Sequence, residues 1–191
     1  MPERRGHIFV VSAPSGCGKT SLVKALLKED KALTHPASFT TRPRRAGEKN
    51  GVDYHFISED EFRRRLKKKD FLEWSRPFGQ YYATSKSSVS GNIRKGRDVI
   101  LSLDCNGANF VKKNFKDSTS IYILPPSLKA LRQRLVGRMT DHSSEIKKRL
   151  ICARADICNI KRYDYAVVND SFTEAVKKLK SIIVAERLRV R

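Results

Sequence analysis

No apolar run in this sequence approaches the ~20 residues that a membrane-spanning helix needs. The opening Met1-Pro2-Glu3-Arg4-Arg5 leads straight into a short strand-like run rather than a signal peptide, so a cytoplasmic protein with no membrane partner is expected. Cysteine is scarce: Cys17, Cys105, Cys152 and Cys158 form no C-x-x-C pair and have no histidine at zinc spacing, which argues against a disulfide framework or a zinc site. Reduced thiols in loops or core are the plain reading. Internal repeats and low-complexity tracts are lacking too. Acidic residues are few, 20 against 40 Lys and Arg, for a formal net charge of +20.

That charge suits either a nucleic-acid binder or a protein that handles small polyanions such as nucleotides. Much of it lies at helical spacing, in Arg63-Arg64-Arg65 with Lys67-Lys68-Lys69 and in Lys177, Lys178 and Lys180, where a solvated helix face is the commoner explanation. No recognisable nucleic-acid module accompanies it, and no nucleic-acid partner is expected. What remains is an ordinary globular composition, 39% hydrophobic and 31% charged over 191 residues, enough for one core and one domain. Composition leaves the oligomeric state open, a homo-oligomer included.

Ile8-Phe9-Val10-Val11 is short, apolar and β-branched, as a buried parallel strand requires. Leu22, Val23, Leu26 and Leu27 then recur at helical spacing. Further strands are predicted at Val99–Leu103, Ser120–Leu124 and Tyr165–Val168, so strands alternate with helical segments and imply a parallel sheet flanked by helices. Between Thr34 and Asn92 the texture changes to shorter runs with more aromatics. Ser58-Glu59-Asp60-Glu61 reads as a capping box, with short strands at Tyr54–Ile57, Phe71–Trp74 and Gly79–Tyr82. The parallel pattern resumes at Val99, so this stretch is expected to be an α+β insertion rather than a second domain. Two helical stretches, Ser127–Arg138 and Ser143–Ile160, are joined by the polar Met139-Thr140-Asp141-His142 and could form a lid. Ser171-Phe172-Thr173-Glu174 reads as a second capping box. After it, Phe172, Val176, Leu179 and Ile183 make one stripe of a C-terminal helix.

Chemistry enters at Ala13-Pro14-Ser15-Gly16-Cys17-Gly18-Lys19-Thr20, which matches the Walker A pattern everywhere but at Ala13. Gly16 and Gly18 let the backbone turn its N–H groups onto phosphates, and the following helix offers its positive N-terminus. Lys19 supplies a charge toward the β- and γ-phosphates, and the Thr20 hydroxyl is placed to hold Mg²⁺ beside ATP. Strand, loop, Lys-Thr and helix fall in the order that a phosphate-binding loop requires. The insertion adds Arg42-Pro43-Arg44-Arg45. Its guanidinium forks match phosphate oxygens, and Tyr54, Tyr81 and Tyr82 lie downstream, so an acceptor-phosphate site is the better reading of this basic run.

The chain resembles the guanylate kinases nearly end to end. The resemblance runs through the loop, Thr41-Arg42-Pro43, Gly47-Glu48, Gly51-Val52-Asp53-Tyr54-His55-Phe56, Phe71-Leu72-Glu73-Trp74, Gly79-Gln80-Tyr81-Tyr82, Leu124-Pro125-Pro126-Ser127, Tyr163-Asp164-Tyr165 and Asn169-Asp170. It implies an α/β P-loop nucleoside-monophosphate kinase that moves the γ-phosphoryl of ATP to GMP. The expected architecture is a core of 1–33 and 97–191, a GMP-binding insertion at about 34–96 and a helical lid at about 134–149. By resemblance, Ala13 to Thr20 (Ala13, Pro14, Ser15, Gly16, Cys17, Gly18, Lys19, Thr20) bind ATP with Arg134, Arg138 and Asn169. Arg42, Arg45, Tyr54 and Tyr82 hold the GMP phosphate, and Ser38, Glu73, Thr84 and Asp104 read guanine. Lys19, Arg45, Arg138 and Arg149 form the catalytic set. Guanine presents N1–H and an exocyclic amine as adjacent donors, which one carboxylate can accept together; adenine has no such pair.

Two departures stand out. The family usually has an acidic residue at position 102 and Trp-Gln at 105 and 106, where this chain has Ser102, Cys105 and Asn106. The rival implied by the same fold is a non-catalytic guanylate-kinase-like interaction module. Such modules typically lose the loop lysine, and Lys19 is present here.

Overall fold

The structure, a computed structural model, describes residues 5–137, 143–158 and 160–190. Five parallel strands form the main sheet, in the order β2 (Leu33–Thr34), β7 (Asp98–Leu103), β1 (Ile8–Ser12), β8 (Thr119–Leu124) and β9 (Tyr165–Val168). All five residues of β1 are buried, because helices cover both faces and leave no side of a central parallel strand for water. Period-2 alternation sorts the core into two layers. Phe9 and Val11 pack with Leu22 and Leu26 of α1 (Lys19–Glu29) and with Leu179 of α7 (Phe172–Leu188). Ile8 and Val10 pack on the other face with Val89 and Ile93 of α3 (Lys86–Arg94) and Ala108 and Val111 of α4 (Cys105–Asn114).

A second, four-stranded sheet holds β3 (Ser38–Thr40) between β4 (Tyr54–Phe56), parallel to it, and β6 (Tyr82–Ser85), antiparallel. β5 (Phe71–Ser75) pairs antiparallel with β6. On one face, α2 (Glu59–Lys67) lays Phe62 against Phe71 and Tyr81, with ring centroids 4.8 Å apart in both cases. The Ser58 hydroxyl caps α2 by accepting from Glu61 N, as the capping box predicts. Arg63, Arg64 and Arg65 pair with Glu59 and Glu61 along its outer face, so this basic run is a solvated helix surface.

Several sequence expectations need correction. The strand expected at Gly79–Tyr82 begins at Tyr82 and runs to Ser85, because a 3₁₀ turn at Pro77–Gly79 reverses the chain first. Ile57 lies outside β4 and Ser75 extends β5. The Ser171 side chain makes no capping hydrogen bond, and Phe172 stays exposed; Ala175 joins the buried stripe with Val176, Leu179 and Ile183 instead. The two helical stretches are observed as α5 (Leu128–Val136) and α6 (Ser143–Cys158), and the expected connector falls outside the described residues. β2, β3, α3 and α4 were not predicted as elements. The two strands are two and three residues long, too short for a periodic signal.

Candidate active site

Strand order reverses around β1, so a crevice opens at the carboxyl ends of β1, β7, β8 and β9, where open α/β sheets take their ligands. The loop after β1 turns through Gly16 at φ 94° and Gly18 at φ 82°, and Gly18 is the N-cap of α1. A Cβ on Gly18 would lie 2.8 Å from Asn169 Nδ2, and one on Gly16 would press Leu135 at 3.0 Å. Asn169 is buried and its amide donates to Cys17 O at 2.8 Å, so the segment after β9 props the loop from beneath. Arg134 Nη2 donates to Asn169 O at 3.0 Å, and Arg149 Nη1 of α6 donates to Ser15 Oγ at 2.7 Å. Both arginines therefore touch the loop or its prop. Cys17 is fully buried and Ala13 nearly so, while Thr20 sits exposed in the first turn of α1. Arg138 lies outside the described residues.

Lys19 folds back along the crevice. Its Nζ donates to Leu103 O, the last carbonyl of β7, at 2.5 Å. Burial of the ammonium pulls its pKa below the ordinary lysine value; the nearby Asp104, Cys105, Cys17 and Glu73 oppose that shift. The cation thus lies between the glycine loop and the carboxylates of the neighbouring subsite.

Those carboxylates are held differently. Glu73 in β5 is buried, its Oε1 accepts from Thr84 Oγ1 at 2.6 Å, and a Cβ on Gly107 would lie 2.8 Å from its Oε2. Burial pushes Glu73 up to about 7, helped by the Asp104 charge and opposed by the Thr84 hydrogen bond and Lys19. Asp104 caps α4, accepting from Gly107 N at 2.8 Å with Oδ1. Ser38 is half-buried at the start of β3, opposite Tyr54 of β4. The β5–β6 hairpin sets the contrast with the neighbouring residue: Glu73 points inward and Trp74, next in line, is 46% exposed.

Toward the outer end of the second sheet, Arg42 donates through Nε to Tyr82 Oη at 3.1 Å, through Nη1 to Pro43 O at 2.7 Å and through Nη2 to Glu48 Oε1 at 2.7 Å. Its guanidinium carbon stands 5.4 Å from the Tyr54 ring centroid, and Tyr54 meets Tyr82 edge-on at 6.0 Å. Arg42, Tyr54 and Tyr82 are thus brought together. The Arg45 side chain is exposed, while its backbone meets Glu48 twice: the N donates to Glu48 Oε2 at 2.8 Å and the O accepts from Glu48 N at 3.2 Å.

Three features escaped the sequence reading. Glu48 belonged to a recognised motif but had no assigned role; Gly107 had no signal beyond its place three residues after an Asp N-cap. The third is a polar group beneath the crevice. At 105, where the family pattern has Trp, the Cys105 thiol lies 3.8 Å from Ser12 Oγ, and burial raises its pKa. The Tyr122 hydroxyl is buried nearby without a hydrogen-bond partner among the described residues, and its ring lies 4.9 Å from that of Tyr163, whose hydroxyl adjoins Ser12 and Cys105.

A parallel sheet feeding a glycine loop and a lysine-led helix, with a carboxylate-lined crevice beside it, defines the class of α/β nucleotide-binding kinases. Comparison with known proteins narrows the class. The family described as guanylate kinase matches residues 5–186. A guanylate kinase of Hahella chejuensis is 50% identical over 97% of this chain and 89% of its own, and one of Coxiella burnetii is 45% identical over 97% and 90%. The crystal structure of guanylate kinase from Anaplasma phagocytophilum superposes with a TM-score of 0.84 at 30% identity, covering all of this chain and 90% of that one. The chain belongs to the guanylate kinase family.

Proposed function

We propose that this enzyme transfers the γ-phosphoryl group of ATP to GMP, giving ADP and GDP. The single observation that carries the acceptor assignment is the buried Glu73 beside Thr84, a desolvated carboxylate whose Oε1 accepts from the Thr84 hydroxyl. Guanine can satisfy it with N1–H and the exocyclic amine; adenine would leave it unmet, at a cost that discriminates strongly. Ser38 and Thr84 supply hydroxyls for the base, and the free oxygen of Asp104 is a further acceptor. The non-catalytic alternative is disfavoured by Lys19, which such modules typically lack.

ATP phosphates fit the loop of Ala13 to Thr20, with Gly16 and Gly18 exposing backbone N–H groups and Lys19 swinging from Leu103 O to the β- and γ-oxygens. Arg134 and Arg149 approach the same loop, and Arg138 belongs to the same lid, about 134–149. Asn169 supports the loop and borders the adenine side. Arg42, Arg45, Tyr54 and Tyr82 take the GMP phosphate, within an acceptor unit of about 34–96 set against a core of 1–33 and 97–191. The attacking phosphate oxygen is already anionic, so no general base is needed. In-line positioning and charge neutralisation by Lys19, Arg45, Arg138 and Arg149 perform the catalysis.

The residues fit a magnesium ion that arrives with ATP. No cluster of three His, Cys, Asp or Glu suited to a metal exists among the described residues, while Thr20 offers one exposed hydroxyl at the helix N-terminus. A cation that draws most of its oxygens from phosphates and water needs no more. When bound, it would neutralise charge on the β- and γ-phosphates. No helix of the described residues is long and apolar enough to cross a membrane, and a cytoplasmic setting suits the reaction. A coupled assay of ADP formation with GMP, AMP, dTMP and UMP as acceptors tests the proposal: GMP alone should turn over rapidly, and equal turnover of AMP would overturn it.

A further inference from the structure

The acceptor-phosphate arginine is held by an acidic residue to which no role has been assigned. From the geometry we infer that Glu48 is a positioning residue: it aims the Arg42 guanidinium at the acceptor phosphate and ties the Arg45 backbone to the same carboxylate. This rests on the acceptor site proposed above. A guanidinium carries five N–H donors in a fixed plane. Three are engaged, by Tyr82 Oη on Nε, Pro43 O on Nη1 and Glu48 Oε1 on Nη2. One N–H on each Nη remains for a phosphate.

Of the three partners, only Glu48 is charged, and it alone links Arg42 to Arg45. Its Oε2 accepts from Arg45 N at 2.8 Å, so one carboxylate fixes a side chain and the backbone three residues further along. Both members of the ion pair are largely shielded, at 12% side-chain exposure for Arg42 and 20% for Glu48, where such a contact is stronger than on an open surface. The Arg42 guanidinium draws Glu48 below the usual carboxylate range against the opposing effect of burial. Pro43 and the turn through Gly47, at φ 83°, return the chain so that residue 48 faces residue 42. Without Glu48, Arg42 would keep its charge but gain rotational freedom, and a 1 Å misplacement of a substrate clamp is enough to cost rate or affinity.

Glu48→Gln keeps the size and removes the charge, and Glu48→Asp keeps the charge but shortens the reach. Steady-state kinetics with GMP and ATP varied in turn, with thermal unfolding of each variant, separate the possibilities. Positioning predicts a KM for GMP raised about tenfold or more in Glu48→Gln, a KM for ATP within about twofold, an unchanged Tm and an intermediate KM for GMP in Glu48→Asp. The Arg42 Nε–H signal in NMR should exchange with water faster in Glu48→Gln than in the unmodified protein. A KM for GMP that falls would mean that Glu48 competes with the phosphate, and parallel losses toward GMP and ATP with a lowered Tm would mean that it only braces the loop. Either result, or no change, overturns the inference. Should Glu48→Gln fail to fold, Glu48→Asp carries the same comparison. Arg42→Ala is the control: if it leaves the KM for GMP unchanged, the acceptor-site reading itself is wrong, whatever Glu48 does.

Discussion

Lowering the pH from 8 to 6 should weaken GMP binding through Glu73. Burial places this carboxyl at about 7 in the free protein, so it carries a proton much of the time near neutrality. Guanine needs it ionised, because a protonated oxygen would face the N1–H donor with another donor. Affinity should therefore follow the ionised fraction, roughly one in eleven at pH 6 and ten in eleven at pH 8, a loss of about tenfold on acidification. Binding should also draw the pKa down, since two donors from the base favour the charged form, and should release about half a proton at pH 7. Isothermal titration in buffers of different ionisation enthalpy measures both quantities. The GMP phosphate titrates near 6 on its own account, so the reference is Glu73→Gln, in which that contribution persists and the carboxyl is gone. Identical pH slopes and proton release in the two proteins would refute the reasoning, because Glu73 would then either be ionised throughout or not meet the base.

Lys19→Ala should lower kcat on the order of 10²-fold or more while the protein stays folded, read by coupled ADP release and thermal unfolding; near-normal turnover would remove Lys19 from the catalytic set. Arg187 bridges Asp98 and Asp30 at 2.7 Å each, and Asp98 is fully buried, so Arg187→Ala should cost about 3 kcal/mol in urea unfolding. Asp98 opens β7 and Leu103 closes it, so this cluster lies at the strand end away from the crevice. Turnover per folded molecule should hold; its loss alongside stability would mean that the cluster shapes the site.

Much of this molecule is written locally. The apolar β-branched run at Ile8, the glycines of the loop and the 3.6-residue spacing of Leu22, Val23 and Leu26 each depend on neighbours in the chain, so the sequence by itself determined the parallel core, the glycine loop and the helix that follows it. Ser58 capped α2 for the same reason, since its partner is three residues away. Contacts across long separations were decided only by the tertiary structure. Lys19 rests on Leu103 O, 84 residues along, and Asn169 props Cys17 from 152 residues away, neither of which any periodicity encodes. The same holds for the state of Glu73. Its neighbours in sequence include an exposed Trp74, and its raised pKa comes from packing under α4 and from the Asp104 charge beside it. Ser171 shows the converse: a local capping signal went unused, and helix α7 is held instead by the burial of Ala175, Val176, Leu179 and Ile183 against the sheet, where packing outweighs a single end contact.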